Sequence, residues 1–325
     1  MPDTDFYRVE VAPLSILPRK RSPLFSYFSR VEIPIGAVVS ISFGKQELRG
    51  IVCACGRSKT RPASWIKEVS SVLIRDGLTE EQIQLARMIS AEYFTPLGKT
   101  LIHFLPDGAK PSRTSLTETV HHDTSRSCIP YSSTQLKKTI VPLLKHDRSV
   151  LTLHPQDRAA AIAILAEEYR KKTRLKRATL VLVPEILGAE LLSSDLAGFG
   201  IENTLLTSAL TRKHFLTAWK DAGVPGSVLV GTRQALFAPF ANLGMIIMVD
   251  ADDDAYKQWD MSPRYDTRRV VPMLTRIFPD TRVISLSAFP DTTQTHDRIV
   301  SRLTHTDLVT SLPLAPLHII NLRLQ

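Results

Sequence analysis

The sequence predicts an α/β protein in two parts. Three features carry that reading: strand-length apolar segments broken by proline and glycine near the start, alternating helix and strand patterns from about residue 134, and a polar, turn-rich stretch between them. The 325 residues are enough for about two domains. A hydrophobic content of 43% and a charged content of 22% are those of a globular chain, and they exclude a wholly disordered, collagenous or membrane protein.

In chain order, Tyr7 to Val11, Phe25 to Phe28, Ala37 to Phe43 and Arg49 to Cys55 read as short strands, with Pro13, Pro18, Pro34, Gly36 and Gly44 between them. That spacing suggests a small β-barrel or sandwich. A helical part follows: Thr79 can cap a helix whose first turn holds Glu80 and Glu81, with Ile83, Leu85, Ala86 and Ile89 as its apolar stripe, running to about Phe94. Residues 107–133 lack apolar periodicity and read as a linker. Beyond them, strands are expected at Ser149 to Leu153, Ala178 to Val183, Gly226 to Val230, Met245 to Val249 and Arg282 to Leu286. Runs such as LVLV and MIIMV suit strands of a parallel sheet buried on both faces. Ligands of such sheets sit beyond the carboxyl ends of the strands.

The net charge is +9, and residues 1–67 hold 11 basic against 5 acidic side chains, so a polyanion is a reasonable partner. No apolar run approaches the ~20 residues needed to cross a bilayer, and the start MPDTDFYR lacks the parts of a signal peptide, so a cytoplasmic protein without a membrane partner is expected. Cys53, Cys55 and Cys128 are too few for a disulfide framework or a four-thiolate zinc site. Cys53 and Cys55, on one alternating strand, should share a face as small buried hydrophobes. His121 and His122 fall in the linker, where solvent exposure is the simpler reading. The acidic run Asp250 to Asp254, taken alone, fits either a divalent-metal site or a solvated turn.

Several stretches resemble the PriA family of bacterial replication-restart helicases. The most specific is GTRQALFAPFANLG (Gly231 to Gly244), followed by the strand MIIMVD and then by AYKQ and PRYDTRR. VPEI (Val183 to Ile186), the segment Thr207 to Trp219, and the N-terminal SPLFSYFS, GAVVSISFGKQELRGIV and AEYFTPLGKTLIHFLP add to it. The resemblance covers about 7–112 and 132–325. It implies a 3′-DNA-binding domain over 1–106, a linker over 107–133 and one RecA-like lobe of the P-loop NTPase type over 134–325. Sequence beyond Gln325, where the family has a second lobe, is not in this chain.

The resemblance also exposes departures. Where the family carries a glycine-rich phosphate loop, this chain reads HPQDRAAA, which puts Arg158 at the lysine position and Ala159 at the Mg²⁺-binding hydroxyl position, with Asp157 adding negative charge. The family's acidic DEEH becomes Asp250, Ala251, Asp252 and Asp253, so the residue expected to orient the attacking water is alanine unless Asp252 slips into its place. GSATP becomes LSAFP, with Leu286 and Phe289 at altered positions. The expectation is a degenerate nucleotide site at Arg158, Asp250 and Asp252, with no catalytic residue, no metal and no cofactor, weak ATP/Mg²⁺ binding being left open. By the same resemblance, Phe25, Ser26, Gly44, Lys45 and Lys67 fall at a pocket for a 3′ terminus, Ser26 standing where the family has an acid. Thr232 and Arg233 fall at a motif that touches single-stranded DNA. The implied function is recognition of forked, single-stranded or 3′-ended DNA in bacterial replication restart. Single-stranded-DNA-binding protein and other primosome proteins are the implied protein partners, in a nucleoid-associated setting. Two rival functions are an active helicase completed by further sequence or a partner chain, and a scaffold for replication proteins.

Overall fold

Antiparallel pairing organises the first part of the molecule, whose structure is a computed structural model describing residues 6–15, 23–58, 63–106, 133–152, 157–173 and 176–287. Strands β1 (Phe6–Pro13), β2 (Phe25–Ser29), β3 (Val38–Phe43), β4 (Gln46–Ser58) and β5 (Ser71–Ile74) form one sheet in the order β2-β1-β4-β3-β5. The approach to β5 ties the two edges together. Phe28 N donates to the Lys67 carbonyl (3.0 Å) and Val69 N to the Phe28 carbonyl (2.9 Å), while Ser70 N donates to the Ser40 carbonyl (3.0 Å). Closure of this kind removes exposed edges and leaves a barrel-like core of Val9, Val11, Tyr27, Val39, Ile41 and Val52. Strand β5 was not expected from the sequence: all four of its side chains are exposed, so SVLI carries no inside–outside alternation.

One local expectation is corrected. In the pairing of β1 with β4, Glu10 lies opposite Ala54 and Val11 opposite Val52, so Cys53 is the extra residue of a β-bulge. The bulge resets the alternation. Cys53 faces the helices with Ile51, whereas Cys55 packs on the barrel interior, and the two do not share a face.

Helix α1 (Glu80–Glu92) starts as expected. The Thr79 hydroxyl accepts from Gln82 N (3.2 Å) and the Gln82 carboxamide accepts from Thr79 N (2.9 Å), a reciprocal capping box. Tyr93 closes the helix, Phe94 turns the chain at φ +49°, and α2 (Leu97–Leu101) follows.

The second part contains α3 (Ser133–Ile140), β6 (Arg148–Thr152), α4 (Arg158–Lys172), β7 (Ala178–Leu182), α5 (Ile186–Gly198), β8 (Thr204–Leu206), α6 (Arg212–Ala222), β9 (Val228–Gly231), β10 (Leu243–Val249), α7 (Thr267–Ile277) and β11 (Arg282–Ser287). Its six strands are all parallel, in the order β6-β11-β10-β7-β9-β8. Every residue of β7 and β10 is buried, as strands covered on both faces require. On one face α3, α4 and α5 pack Leu136, Ile162 and Leu192 against Val181, Val230 and Ile247. The other face is covered by α6 and α7 and also by α1 and α2 from the first part: Leu85, Ile89, Leu101 and Phe104 belong to the same core as Leu180, Ile246, Met248 and Leu274. Each such buried side chain contributes on the order of 1.5–3 kcal/mol.

Candidate nucleic-acid interface

The residues singled out in the sequence fall at three places. The first is one rim of the barrel, where β2 begins and the β3–β4 hairpin turns. Gly44 and Lys45 form a two-residue turn between Phe43 and Gln46, and Gly44 adopts φ +62°, which this tight turn asks of its first position. The Phe25 and Phe43 rings meet edge to face with centroids 5.0 Å apart. Lys67 is exposed and reaches over the same rim, donating to the Ser42 hydroxyl (3.0 Å) and to the Gly44 carbonyl (3.3 Å). Both acceptors are neutral oxygens. Lys45 is exposed at the turn. Phe25, Gly44 and Lys67 are therefore brought together.

Ser26 is placed differently. It follows Phe25 in the strand and so points to the opposite face, where its hydroxyl donates to Glu10 Oε1 (2.8 Å). Arg8 Nε donates to the same oxygen (2.9 Å) and its Nη2 to the Ser26 hydroxyl (3.2 Å). Sequence reasoning singled out neither Glu10 nor Phe43 as a site residue. The two strands were expected, but the register Glu10 opposite Ser26 is set by their pairing and not by their spacing in the sequence.

The second place is a groove of about 1020 Å³ beyond the carboxyl ends of β7, β8 and β9, bounded on its far side by α2 and the turn after it. Lys99, His103, Arg212, Thr232 and Arg233 give it hydrogen-bond donors, and Glu185 and Asp260 are its acids. Gly231, at the end of β9, has no room for a side chain: a Cβ there would lie 2.4 Å from the Leu206 carbonyl oxygen of the neighbouring strand. The close approach lets the chain turn at Thr232 into the short helix that carries Ala235, Leu236 and Phe237 into the core. Thr232 is buried. Arg233 Nη1 donates to the Ala255 carbonyl (2.9 Å), which ties the groove floor to the turn after β10. Burial against Phe237 pushes the His103 imidazole below its ordinary pKa, partly offset by a hydrogen bond to the Ser262 carbonyl (3.2 Å).

The third place is the start of α4. Residues 153–156 lie outside the described part, as do Phe289, His121, His122 and Cys128. Arg158, the first residue of α4, makes a bidentate ion pair with Asp250 at the end of β10: Nη1 donates to Oδ2 at 2.7 Å and Nη2 to Oδ1. The two side chains are 18% and 33% exposed, so the pair is largely sheltered. Asp250 sits at φ +47°, its amide donating to the Leu286 carbonyl (2.7 Å) across β11. Burial pushes its carboxyl pKa up, against the pull of the Arg158 guanidinium. Ala251 is buried. Asp252 is exposed and accepts from the Ser287 hydroxyl (3.3 Å), and Asp253 caps the next turn by accepting from Ala255 N (2.7 Å). Below them Tyr256 donates towards the carbonyls of Leu182 (2.8 Å) and Val249 (2.6 Å), filling the space between β7 and β10. The acidic run thus divides into a guanidinium partner, a hydroxyl acceptor and a turn cap. Among the described residues no His, Cys, Asp and Glu group is arranged to hold a metal ion.

Comparison with known proteins bears on the same regions. Residues 16–106 match the family model of the PriA 3′DNA-binding domain (3′BD). The replication restart protein PriA of Rickettsia prowazekii is 26% identical over 269 residues, covering 80% of this chain and 40% of that protein. PriA of Chlamydia muridarum is 37% identical over 123 residues, 37% of this chain and 16% of that one. Among solved structures, a DEAD box protein from Methanococcus jannaschii matches 55% of this chain and 49% of its own at 13% identity and a TM-score of 0.39. Among the described residues no helix is long and apolar enough to cross a membrane.

Proposed function

Because the chain belongs to the PriA family, and spans about 40% of the length of the Rickettsia relative, we propose that it binds 3′-ended or forked DNA in replication restart and does not hydrolyse ATP. The observation that carries the DNA reading is the rim: a ring pair that can stack on a terminal base, a glycine turn that admits a backbone closely, and an ammonium for a phosphate. The groove beyond β7 to β9, with Lys99, Arg212 and Arg233 along it, offers a path for the strand that leads away from that end. Stacking and phosphate contacts are tolerant of sequence, so the protein reads the form of the DNA.

The case against hydrolysis rests on the ion pair. Phosphoryl transfer needs a cation on the β/γ-phosphates, a carboxylate on Mg²⁺ and a group that orients water. Here the cation and the carboxylate satisfy each other, and the third position is Ala251. A nucleotide would have to break a bidentate pair, and a Mg²⁺ ion would have to displace a guanidinium, with no compensating hydroxyl at Ala159.

The test is two measurements on the full chain. Fluorescence anisotropy with a single-stranded oligonucleotide should give binding that weakens steeply with salt, as counterion release requires, and that is weaker in Lys67→Ala. Binding that is absent at low salt or insensitive to salt overturns the DNA reading. DNA-stimulated phosphate release should not exceed a buffer blank; release that Asp250→Asn abolishes overturns the other half.

A further inference from the structure

We infer that the segment joining α4 to β7 holds the phosphate backbone of duplex DNA, a second nucleic-acid contact that rests on the proposed binding of DNA and lies away from both the rim and the groove. Residues 170–177 read RKKTRLKR, six cations in eight positions. Helix α4 is 15 residues long, so its basic end stands about 22 Å from Arg158 at its start, at the amino ends of the strands instead of their carboxyl ends. A cavity of about 690 Å³ opens there, with Thr179, Thr204 and Val228 marking where β7, β8 and β9 begin.

The cations divide into two kinds. Lys171 pairs with Glu167 and Glu168, and Arg177 Nη2 donates to Asp280 Oδ2 at 2.7 Å, so these two are held by the fold. Arg170, Lys172 and Lys176 are exposed and make no ion pair with a described residue, and Arg170 and Lys176 both line the cavity. The carbonyls at a helix end favour cations within the last turn, which accounts for Arg170 and Lys172 but not for Lys176, four residues past the end of α4. The lining decides which polyanion fits. Its one aromatic ring, Tyr169, is buried, so no base can stack there, and single-stranded DNA relies on such stacking. A duplex keeps its bases inside and presents a regular backbone with one charge per about 1.7 Å of axis, the denser row of phosphates for free cations. Glu202 and Asp221 line the cavity from the β8 and α6 side and keep that backbone to the α4 side. With a single strand in the groove and a paired arm at the amino ends, the protein grips a fork from both ends of its parallel sheet.

The experiment compares the full-length chain with Arg170→Gln/Lys176→Gln on two probes: a short single strand with a free 3′ end, and a dumbbell of about 20 base pairs whose closing loops leave no terminus. The unaltered protein should bind the dumbbell. The variant should bind it about tenfold more weakly at about 0.1 M salt, with a log–log salt slope smaller by about 2, as the loss of two phosphate contacts requires. Both proteins should bind the single strand alike. If the unaltered protein binds the single strand and not the dumbbell, this inference is overturned and the proposed function stands; if it binds neither, both fall. Equal loss on both probes would reduce the two cations to general attraction, and unchanged dumbbell binding with a lower urea midpoint would reduce them to partners of the helix end; either result overturns the duplex contact. So does a variant that loses binding to poly-glutamate and keeps binding to the dumbbell, which would assign the surface to an acidic protein.

Discussion

Arg158 and Asp250 are 92 positions apart in the chain and share two hydrogen bonds at the mouth of the parallel sheet. Removing the guanidinium leaves a half-buried carboxylate unpaired, so Arg158→Ala should lower stability by about 1–3 kcal/mol in urea unfolding. It should also push the Asp250 pKa further up, since burial already raises it and the opposing cation is gone. Arg158→Lys keeps the charge and loses the fork, so it should cost less and rescue no phosphate release. A stability equal to the parent in Arg158→Ala would mean that the pair contributes nothing. At this scale the sequence was legible where chemistry is local. Thr79 as the cap of α1 follows from residue type and position alone, while the reciprocal bond from Gln82, three residues on, was not named. The substitutions at Arg158 and Ala251 were equally plain, but the contact of Arg158 with Asp250 was not, because it depends on where the sheet order puts the start of α4 relative to the end of β10.

Among the elements, α2 and the turn after it carry a titrating group into the groove. His103 is held between the Phe237 ring and the Ser262 carbonyl, with Lys99 the charged neighbour, and its pKa lies below the ordinary 6.5. The unfolded chain therefore takes up a proton more readily than the folded one. The contribution of neutral His103 is fully present above 6.5 and is lost as pH falls from there through the lowered folded value. The denaturation midpoint should drop on acidification across that window, and His103→Gln should flatten the slope; an unchanged slope would place the titration elsewhere. Long elements were readable from their patterns, as in MIIMV and the stripe of α1. Strand β8 has three residues and β5 has no buried face, so neither leaves a period to detect. The bulge at Cys53 was hidden for a related reason: an inserted residue looks like continued alternation until the partner strand is known.

In the whole molecule, the helices that follow the barrel in sequence pack on the parallel sheet as well as on Ile51 and Cys53 of the barrel. Gln82 Nε2 donates to the Phe237 carbonyl at 2.7 Å, Asp266 N donates to the Tyr93 hydroxyl at 2.9 Å, and Phe104 lies 4.7 Å from Phe237 between ring centroids. The family match ends at residue 106, but the buried surface does not. Heat should therefore melt α1, α2, the sheet and the barrel strands that share this core in one calorimetric transition, because Ile51 and Cys53 of the barrel belong to it and no part of it is complete alone. A fragment cut at residue 106 would present Leu85, Ile89, Leu101 and Phe104 to water, and it should bind an apolar dye or self-associate where the full chain does not. A monomeric, dye-free fragment would refute this.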